Sequence, residues 1–317
     1  MNAFTTSYRT AFLVLVAWGS IACGGMPPID NAPSDASTTD AAATPVPAPR
    51  SHCDVPAPTG VSNLVAFPGG VVFGVTDGET SRIERWEGLG CGLTLAHVPN
   101  VAGVLVDVDL GGRAYVMREG EAVMSRIEDD DTVTDVVRAP RGIWGFGVSP
   151  AARTMWVTSC GPTGIFAMSD TSTPIMGEPS TLWQLEPAVL TADDVFWSVG
   201  ARECTPGEPT TPECGFALTR STPAETREVA TTVIDFGSGY ERARLARCGA
   251  GVCGVFPSGV VMWNRAGEVA LTISRVDLGA EDREEIAQVT GDVRGVYALL
   301  ADGDASRVVF VQAAHAR

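Results

Sequence analysis

The sequence predicts an all-β fold, and three observations lead to that prediction. Short apolar segments rich in Val, Thr and aromatic residues recur along the chain, separated by Gly, Pro and Asp turns. No segment has a convincing helical period, apart from a single turn at residues 279–286. The segments also group into units of similar length, which is typical of folds that repeat one supersecondary unit.

Each unit has four segments, of which the second usually carries an aromatic residue. The markers of these second segments are Phe73, Tyr115, Trp156, Trp197, Val255 and Tyr297. They recur at intervals of about 40 to 45 residues, the length of a four-stranded propeller blade. The one longer interval contains a Pro-rich insert at residues 203–215. Six units within residues 51–317 therefore predict one six-bladed β-propeller domain with four-stranded blades.

The N-terminal end of this domain is predicted to close the ring. The last unit supplies only three strands, at residues 286–289, 293–300 and 307–311. The CDVP segment at 53–56 is similar to AHVP at 96–99, which is the fourth segment of the first unit. We therefore expect the N-terminal strand to pair with the last blade and to cover its exposed edge.

Two segments resemble a known blade motif. VSPAARTMW at 148–156 and VLTADDVFW at 189–197 resemble the blade motif of YWTD- and NHL-type six-bladed propellers. The pattern covers most of residues 60–311 and is specific in the third and fourth blades. Those families mostly bind proteins or small ligands, and some relatives are hydrolases or lyases. The resemblance therefore implies a fold and leaves the activity open.

Residues 1–22 have the pattern of a sorting signal. The apolar run at 10–22 is too short to span a bilayer and matches a signal-peptide core. It ends in SIAC at 20–23, which resembles the lipobox of bacterial lipoproteins and implies cleavage before Cys23 and acylation of its thiol. The alternative is ordinary secretory cleavage with Cys23 incidental. Gly24, in place of Asp, implies an outer-membrane destination by analogy with that family.

Residues 23–50 are predicted to be a disordered linker behind the lipid anchor. They consist largely of Pro, Ala, Ser, Thr and Asp, with Met26, Ile29 and Val46 as the large apolar residues. These three side chains cannot bury enough surface to offset the chain entropy. A flexible chain of this length reaches about 30 Å, which would hold the folded domain clear of a membrane surface.

The chain is strongly acidic, with a formal net charge of −16. The segment before Cys23 contributes only Arg9, so the exported chain is more negative still. This charge argues against nucleic acid and against anionic lipid as partners, leaving the lipid anchor as the membrane contact. All basic residues are Arg, which excludes Schiff-base lysines and P-loop lysines.

The cysteines fit an oxidising compartment. Besides Cys23 there are seven: Cys53, Cys91, Cys160, Cys204, Cys214, Cys248 and Cys253. They allow three disulfides and one free thiol. Cys248 and Cys253 flank a short hairpin turn and are candidates for a disulfide, as are Cys204 and Cys214, which bracket the Pro-rich insert. The spacing lacks paired CxxC motifs with nearby His, so no zinc site is predicted.

The sequence offers little acid–base chemistry. His52, His97 and His315 have no acidic partner at a recognisable spacing, and no GxSxG nucleophile motif occurs. The first segments, which line the centre of a propeller, are mostly apolar or small, with Asp107 and Asp109 as exceptions. We therefore predict no catalytic residues and no cofactor, and favour a protein that is not an enzyme.

The loops between second and third strands are acidic, and in a propeller they open on one face. We call this the acidic loop face; its candidate binding residues are Asp77, Glu79, Glu119, Glu121, Asp302 and Asp304. One interpretation is a site for a cationic partner or for calcium, whose ligands are carboxylate and carbonyl oxygens. The other is a solvated surface on an acidic protein.

These observations predict a lipid-anchored cell-envelope binding or scaffold protein that uses one propeller face for a protein, peptide or glycan partner. Two alternatives remain open. One is a metal-assisted envelope hydrolase or lactonase that uses carboxylates near the centre, and the other is a structural surface protein without a discrete site.

Overall fold

A computed structural model of the chain describes residues 52–78, 80–118, 123–138, 143–159, 164–176, 188–201, 216–222, 225–230, 244–256, 258–292, 294–303 and 305–313. Every regular element in these ranges is a β-strand, as the sequence predicts. No helix long and apolar enough to cross a membrane occurs among them. The sorting signal and linker lie outside the described residues, so acylation of Cys23 stays a prediction.

Sixteen of the strands form four separate antiparallel sheets of four, each built from consecutive strands. The first two sheets are β2 (Val61–Phe67), β3 (Gly70–Asp77), β4 (Thr80–Glu87) and β5 (Thr94–His97), then β6 (Val104–Val108), β7 (Ala114–Met117), β8 (Val123–Ile127) and β9 (Val133–Arg138). The next two are β10 (Ile143–Val148), β11 (Thr154–Ser159), β12 (Gly164–Ala167) and β13 (Asp170–Met176), then β14 (Ala188–Leu190), β15 (Phe196–Ala201), β16 (Phe216–Thr222) and β17 (Glu225–Ala230). This is a propeller-like arrangement of four-stranded blades.

The remaining eight strands form a single sheet, in the order β1-β24-β23-β22-β18-β19-β20-β21. They are β1 (His52–Val55), β18 (Arg244–Cys248), β19 (Gly251–Phe256), β20 (Gly259–Trp263), β21 (Val269–Ser274), β22 (Glu285–Asp292), β23 (Gly295–Asp302) and β24 (Ala305–Gln312). Two antiparallel groups of four meet through one parallel pair, Cys248 with Gly291. The described chain therefore has five sheets where six separate blades are predicted. Glycine suits position 291 at this junction, because a Cβ there would lie 2.6 Å from the Gly295 carbonyl oxygen and 3.1 Å from Cys248 Sγ.

The second strand of each unit is the most buried part of the fold. The six marker residues lie in β3, β7, β11, β15, β19 and β23, as predicted, and all are buried. In β3, alternate side chains face opposite ways: Phe73 packs in one cluster with Tyr297, and Val72 packs in another with Val116. A strand covered on both faces needs apolar residues at every position, which explains the continuous apolar runs.

The predicted N-terminal closure is confirmed. Strand β1 pairs antiparallel with β24, with His52 opposite Val311 and Val55 opposite Val308. It supplies the fourth strand of the group that contains β22, β23 and β24. This pairing covers the edge of β24 that would otherwise present unpaired backbone groups.

Two disulfides lie within the described residues. Cys248 joins Cys253 across the β18–β19 hairpin, with a Cα–Cα distance of 5.6 Å, which confirms that prediction. Cys53 of β1 joins Cys91 of the β4–β5 loop, with a Cα–Cα distance of 6.1 Å. The sequence alone did not identify this second pair. The predicted Cys204–Cys214 pair falls outside the described residues.

Candidate functional site

The first strands of the units lie side by side at the centre of the fold. Contacts run from β2 to β6, then to β10, β14, β18 and β22, and from β22 back to β2. Side chains on these strands therefore come together although they are far apart in sequence. A pocket for substrate or ligand in such a fold would draw its polar groups from these strands and from the loops that follow them.

An ion pair crosses this centre between β18 and β6. Arg247 Nη2 lies 2.7 Å from Asp107 Oδ1, and the arginine side chain is 8% exposed. The same guanidinium donates to two carbonyl oxygens, to Val108 at 2.6 Å and to Val148 at 3.0 Å. Arg247 thus joins β18 to the ends of both β6 and β10.

Asp107 is fully engaged by its surroundings. Its Oδ1 accepts a hydrogen bond from the Val108 amide at 2.8 Å, and its Oδ2 accepts one from the Val148 amide at 2.9 Å. Burial raises the pKa of Asp107 above its ordinary value, while the Arg247 charge and the two amides act in the opposite direction. The carboxylate therefore holds three strands together, and these contacts leave it little free capacity for a ligand.

A second polar group ties β22 to β2 and β6. The Gln288 side chain donates to Asn63 Oδ1 and accepts from the Leu64 amide at 3.1 Å. Asn63 in turn donates to the Leu105 carbonyl at 2.7 Å. Both side chains thus bridge inner strands rather than stand free.

Asp109, the other acidic exception among the first segments, holds a turn. Its Oδ1 accepts from the amides of Gly111 at 2.9 Å and Arg113 at 3.1 Å, and its Oδ2 lies 2.7 Å from Arg113 Nε. A buried carboxylate bonded to the next turn is a common device for fixing β-turn geometry. Asp109 is therefore a structural residue of the β6–β7 connection.

Sequence reasoning missed the residues that partner these acids. Arg247 lies in the first segment of its unit, where most residues are apolar or small. A charged residue at such a position is the sequence feature that could have identified it. Asn63 and Gln288 are less conspicuous, because they lie within β2 and β22 and carry no charge that would single them out in the sequence.

The described members of the acidic loop face are Asp77 and Asp302. Each ends the second strand of its unit, and each is followed by a glycine of positive φ, Gly78 at 62° and Gly303 at 61°. Such glycines are what two-residue hairpin turns require. The Asp302 carboxylate lies 3.1 Å from Arg283 Nε.

The other four candidates, Glu79, Glu119, Glu121 and Asp304, fall outside the described residues. Within the described part of the chain, no three His, Cys, Asp or Glu side chains come close enough together to hold a metal ion. The calcium expectation for this face therefore stays a prediction.

A crevice of about 330 Å³ separates the outer parts of the first two blades. Its base is apolar, with Ile83 and Ile127 among the lining residues, and its rim is charged. His97 Nε2 lies 2.7 Å from Asp131 Oδ1, and Arg85 Nη1 lies 3.5 Å from an Asp129 oxygen. These pairs join the two blades across the crevice, so the charged groups there serve the blade boundary.

No family model and no curated protein matches the chain. Among solved structures it is similar to a catalytically inactive virginiamycin B lyase from Staphylococcus aureus with quinupristin, at 12% identity and a TM-score of 0.45 over 82% of this chain and 98% of that one. It is similar to a chain of a nidogen/laminin complex, at 13% identity and a TM-score of 0.44 over 78% and 97%. It is also similar to a Bacteroides thetaiotaomicron protein of unknown function, at 12% identity and a TM-score of 0.49 over 84% and 73%. Similarities of this size assign neither a family nor an activity to the chain.

Proposed function

We propose that this chain is a lipid-anchored six-bladed propeller of the cell envelope that acts as a binding or scaffold module, with its acidic loop face directed at a positively charged protein or peptide. The observation that carries the proposal is the set of mutually bonded polar groups on the inner strands. Arg247 and Asp107 bond each other and the backbone, as do Asn63 and Gln288. A centre built this way favours a rigid frame over a reaction site.

The six-blade count rests on the makeup of the eight-stranded sheet. Each half is an antiparallel group of four, and one bridge pair joins the halves. Counting the halves as two blades gives six in all. The unbroken series of contacts among six first strands supports the same count.

The choice of face rests on charge. The chain carries a formal charge of −16, and four of the six loops between second and third strands contain acidic residues. A surface of one sign attracts oppositely charged partners and speeds their association. The opposite face, formed by the turns between first and second and between third and fourth strands, carries many interblade ion pairs, such as Arg153 with Asp194 at 2.6 Å. Charges already paired there are less available to a partner. On the acidic loop face Asp302 is likewise paired, with Arg283, whereas Asp77 has no ion-pair partner among the described residues.

The anchor rests on the sequence around Cys23, which lies ahead of the described residues. An outer-membrane lipoprotein would present the propeller at the end of the linker. That geometry suits a module that captures partners close to a membrane, because the tether confines it to a thin layer and raises its effective concentration there.

The binding proposal is tested with the mature chain carrying Cys23→Ser, immobilised and exposed to an envelope extract of the source cells. Two variants are compared, each with two carboxylates neutralised. One alters the acidic loop face, Asp77→Asn with Asp302→Asn, and the other alters the opposite face, Asp129→Asn with Glu268→Gln. The two variants have the same net charge, so a difference in how well they retain a partner shows which face binds it and does not reflect the total charge of the chain.

We expect a basic partner that wild type and the Asp129/Glu268 variant retain, and that the Asp77/Asp302 variant loses. Retention should weaken as salt is raised, because exposed charges are screened. A partner retained equally by all three proteins would refute the assignment of the face. Turnover in a lactone and ester hydrolysis screen with added calcium or magnesium would overturn the binding module in favour of an enzyme.

A further inference from the structure

We infer that the Cys53–Cys91 disulfide is a strap that carries any pull on the N-terminal segment past the closing strand β1 and into the first blade. The inference rests on the proposed function in one respect, since a membrane anchor ahead of His52 is what would supply the pull. The strap itself depends only on the described residues.

The closing strand is the weak point of a ring of blades. β1 has four residues and pairs with a single neighbour, β24. The chain ahead of it enters directly at His52, so tension from a tether acts first on β1. If β1 were pulled away, the edge of β24 would be exposed and the N-terminal segment would separate from the last blade.

The disulfide lies at the point where such tension enters. Cys53 is the second residue of β1, and its partner Cys91 belongs to the β4–β5 loop of the adjacent blade. Tension on the chain therefore passes through His52 and then leaves β1 through the sulfur bridge. Strand residues Asp54 and Val55 lie behind this point and are shielded from the pull.

The loop that receives the load is held firmly. The Gly90 amide donates to the Tyr297 hydroxyl at 3.0 Å, which binds the loop to β23. Leu93 is 2% exposed and packs in one cluster with Tyr297 and Phe310, and Cys53 and Cys91 pack against the same cluster. The bridge thus joins β1 to a buried part of the core and not to a free loop.

The shielded part of β1 has its own attachment. Asp54 Oδ1 lies 2.7 Å from Arg307 Nη1, and Arg307 also contacts Glu284 at 2.8 Å. The hydrogen bond from Arg307 lowers the pKa of Glu284, so this acid stays charged and keeps the arginine in place. Val55 is buried in the same cluster as Leu93. These contacts hold β1 against β24 as long as no force separates the strand from β24 beginning at its His52 end.

The chain also contains a matched control. The Cys248–Cys253 bridge lies within one hairpin whose strands β18 and β19 already pair along their length. It connects no separate parts of the fold, and no terminal segment enters through it. A disulfide in that position has no strap function.

The experiment is single-molecule stretching of the mature chain carrying Cys23→Ser, held by handles at its N-terminus and at the exposed Ala266 of the β20–β21 turn, so that no load acts on the C-terminal end of β24. Three proteins are compared: this chain, a Cys53→Ser/Cys91→Ser variant and a Cys248→Ser/Cys253→Ser variant. Loss of the strap should add an early, low-force step of about 30 Å, the length of the nine or so residues released up to β2. The other two proteins should lack that step.

The total extension provides a second measurement. The sulfur bridge locks a sequence separation of 38 residues, so its removal should lengthen the fully unfolded chain by about 130 Å. Should the Cys53/Cys91 variant fail to fold, the folded chain is reduced in place with a small thiol. A cavity of about 400 Å³ beside Cys53 and Cys91 gives the reagent access.

An early step that appears only after the bridge is lost supports the strap. The same early step at the same force in the oxidised chain would overturn it. Added length on reduction without any early step would overturn it as well, because β1 would then resist the pull unaided. Lipidation plays no part in this measurement, so failure of the anchor proposal and failure of the strap are distinguishable.

Discussion

The cross-ring ion pair provides the sharpest test of the architecture. Replacing Arg247 by Met keeps the length and apolar stem of the side chain and removes its charge. The variant loses the 2.7 Å contact with Asp107 and the hydrogen bonds to Val108 and Val148. Asp107 then keeps only its two amide donors at a buried position, and two carbonyl oxygens lose a donor.

The expected cost in the free energy of unfolding is about 3–5 kcal/mol, the range for removing one partner of a buried pair. Much of that cost is the desolvation of a carboxylate that no longer has a counter-charge. Asp107→Asn in the Arg247→Met background removes the stranded charge and loses one of the two amide hydrogen bonds, because the Asn NH2 group cannot accept. A buried unpaired charge costs more than one hydrogen bond, so the double variant should be more stable than Arg247→Met alone. Lowering the pH should shrink the penalty of Arg247→Met, because protonation also removes that charge.

The assay is urea unfolding followed by tryptophan fluorescence, with the slope checked for a single cooperative transition. Arg138→Met is the matched control, because Arg138 makes an exposed ion pair with Asp135. We expect this control to leave the unfolding midpoint almost unchanged. A loss below about 1 kcal/mol for Arg247→Met, or a double variant no better than the single one, would refute the reasoning.

Four further results are expected. Cys23→Ser should release the protein from membranes and abolish incorporation of labelled fatty acid; a variant that stays membrane-bound would contradict the anchor. Deleting residues 51–58 should lower the melting temperature and broaden the transition, because β24 loses its partner; an unchanged transition would count against closure by β1. Cys53→Ser/Cys91→Ser should destabilise the chain by about 4 kcal/mol by loop-closure entropy for a separation of 38 residues, measured by chemical denaturation. In the wild type, the folded-state pKa of Asp107 is raised above 3.8, so the unfolded chain releases this proton at a lower pH than the folded chain does. The wild type should therefore lose stability as the pH rises from about 3.8 to the raised value. Asp107→Asn should remove that loss, as thermal melts across acidic pH would show.

The sequence alone predicted the strands and their grouping. Apolar runs around Phe73, Trp197 and Tyr297 carry the signal of strands covered on both faces, and Gly and Asp at the turns mark where each strand ends. The CDVP segment at 53–56 predicted the β1–β24 pairing through its likeness to another fourth strand. The Cys248–Cys253 pair was equally accessible, because a hairpin brings residues of small sequence separation together.

Only the tertiary structure decided which distant side chains meet. Val108 and Arg247 are 139 residues apart in the chain and bond at the centre, and His97 meets Asp131 across a blade boundary. The period of a repeat defines each blade but contains no information on which residue of one first strand faces which residue of another. That depends on blade tilt and on how closely neighbouring backbones approach, as at Gly291, where one bridge pair merges two groups of strands into a single sheet. The Cys53–Cys91 pair is also decided by tertiary packing. It depends on β1 lying beside the β4–β5 loop, a contact that exists only once the last blade lies against the first.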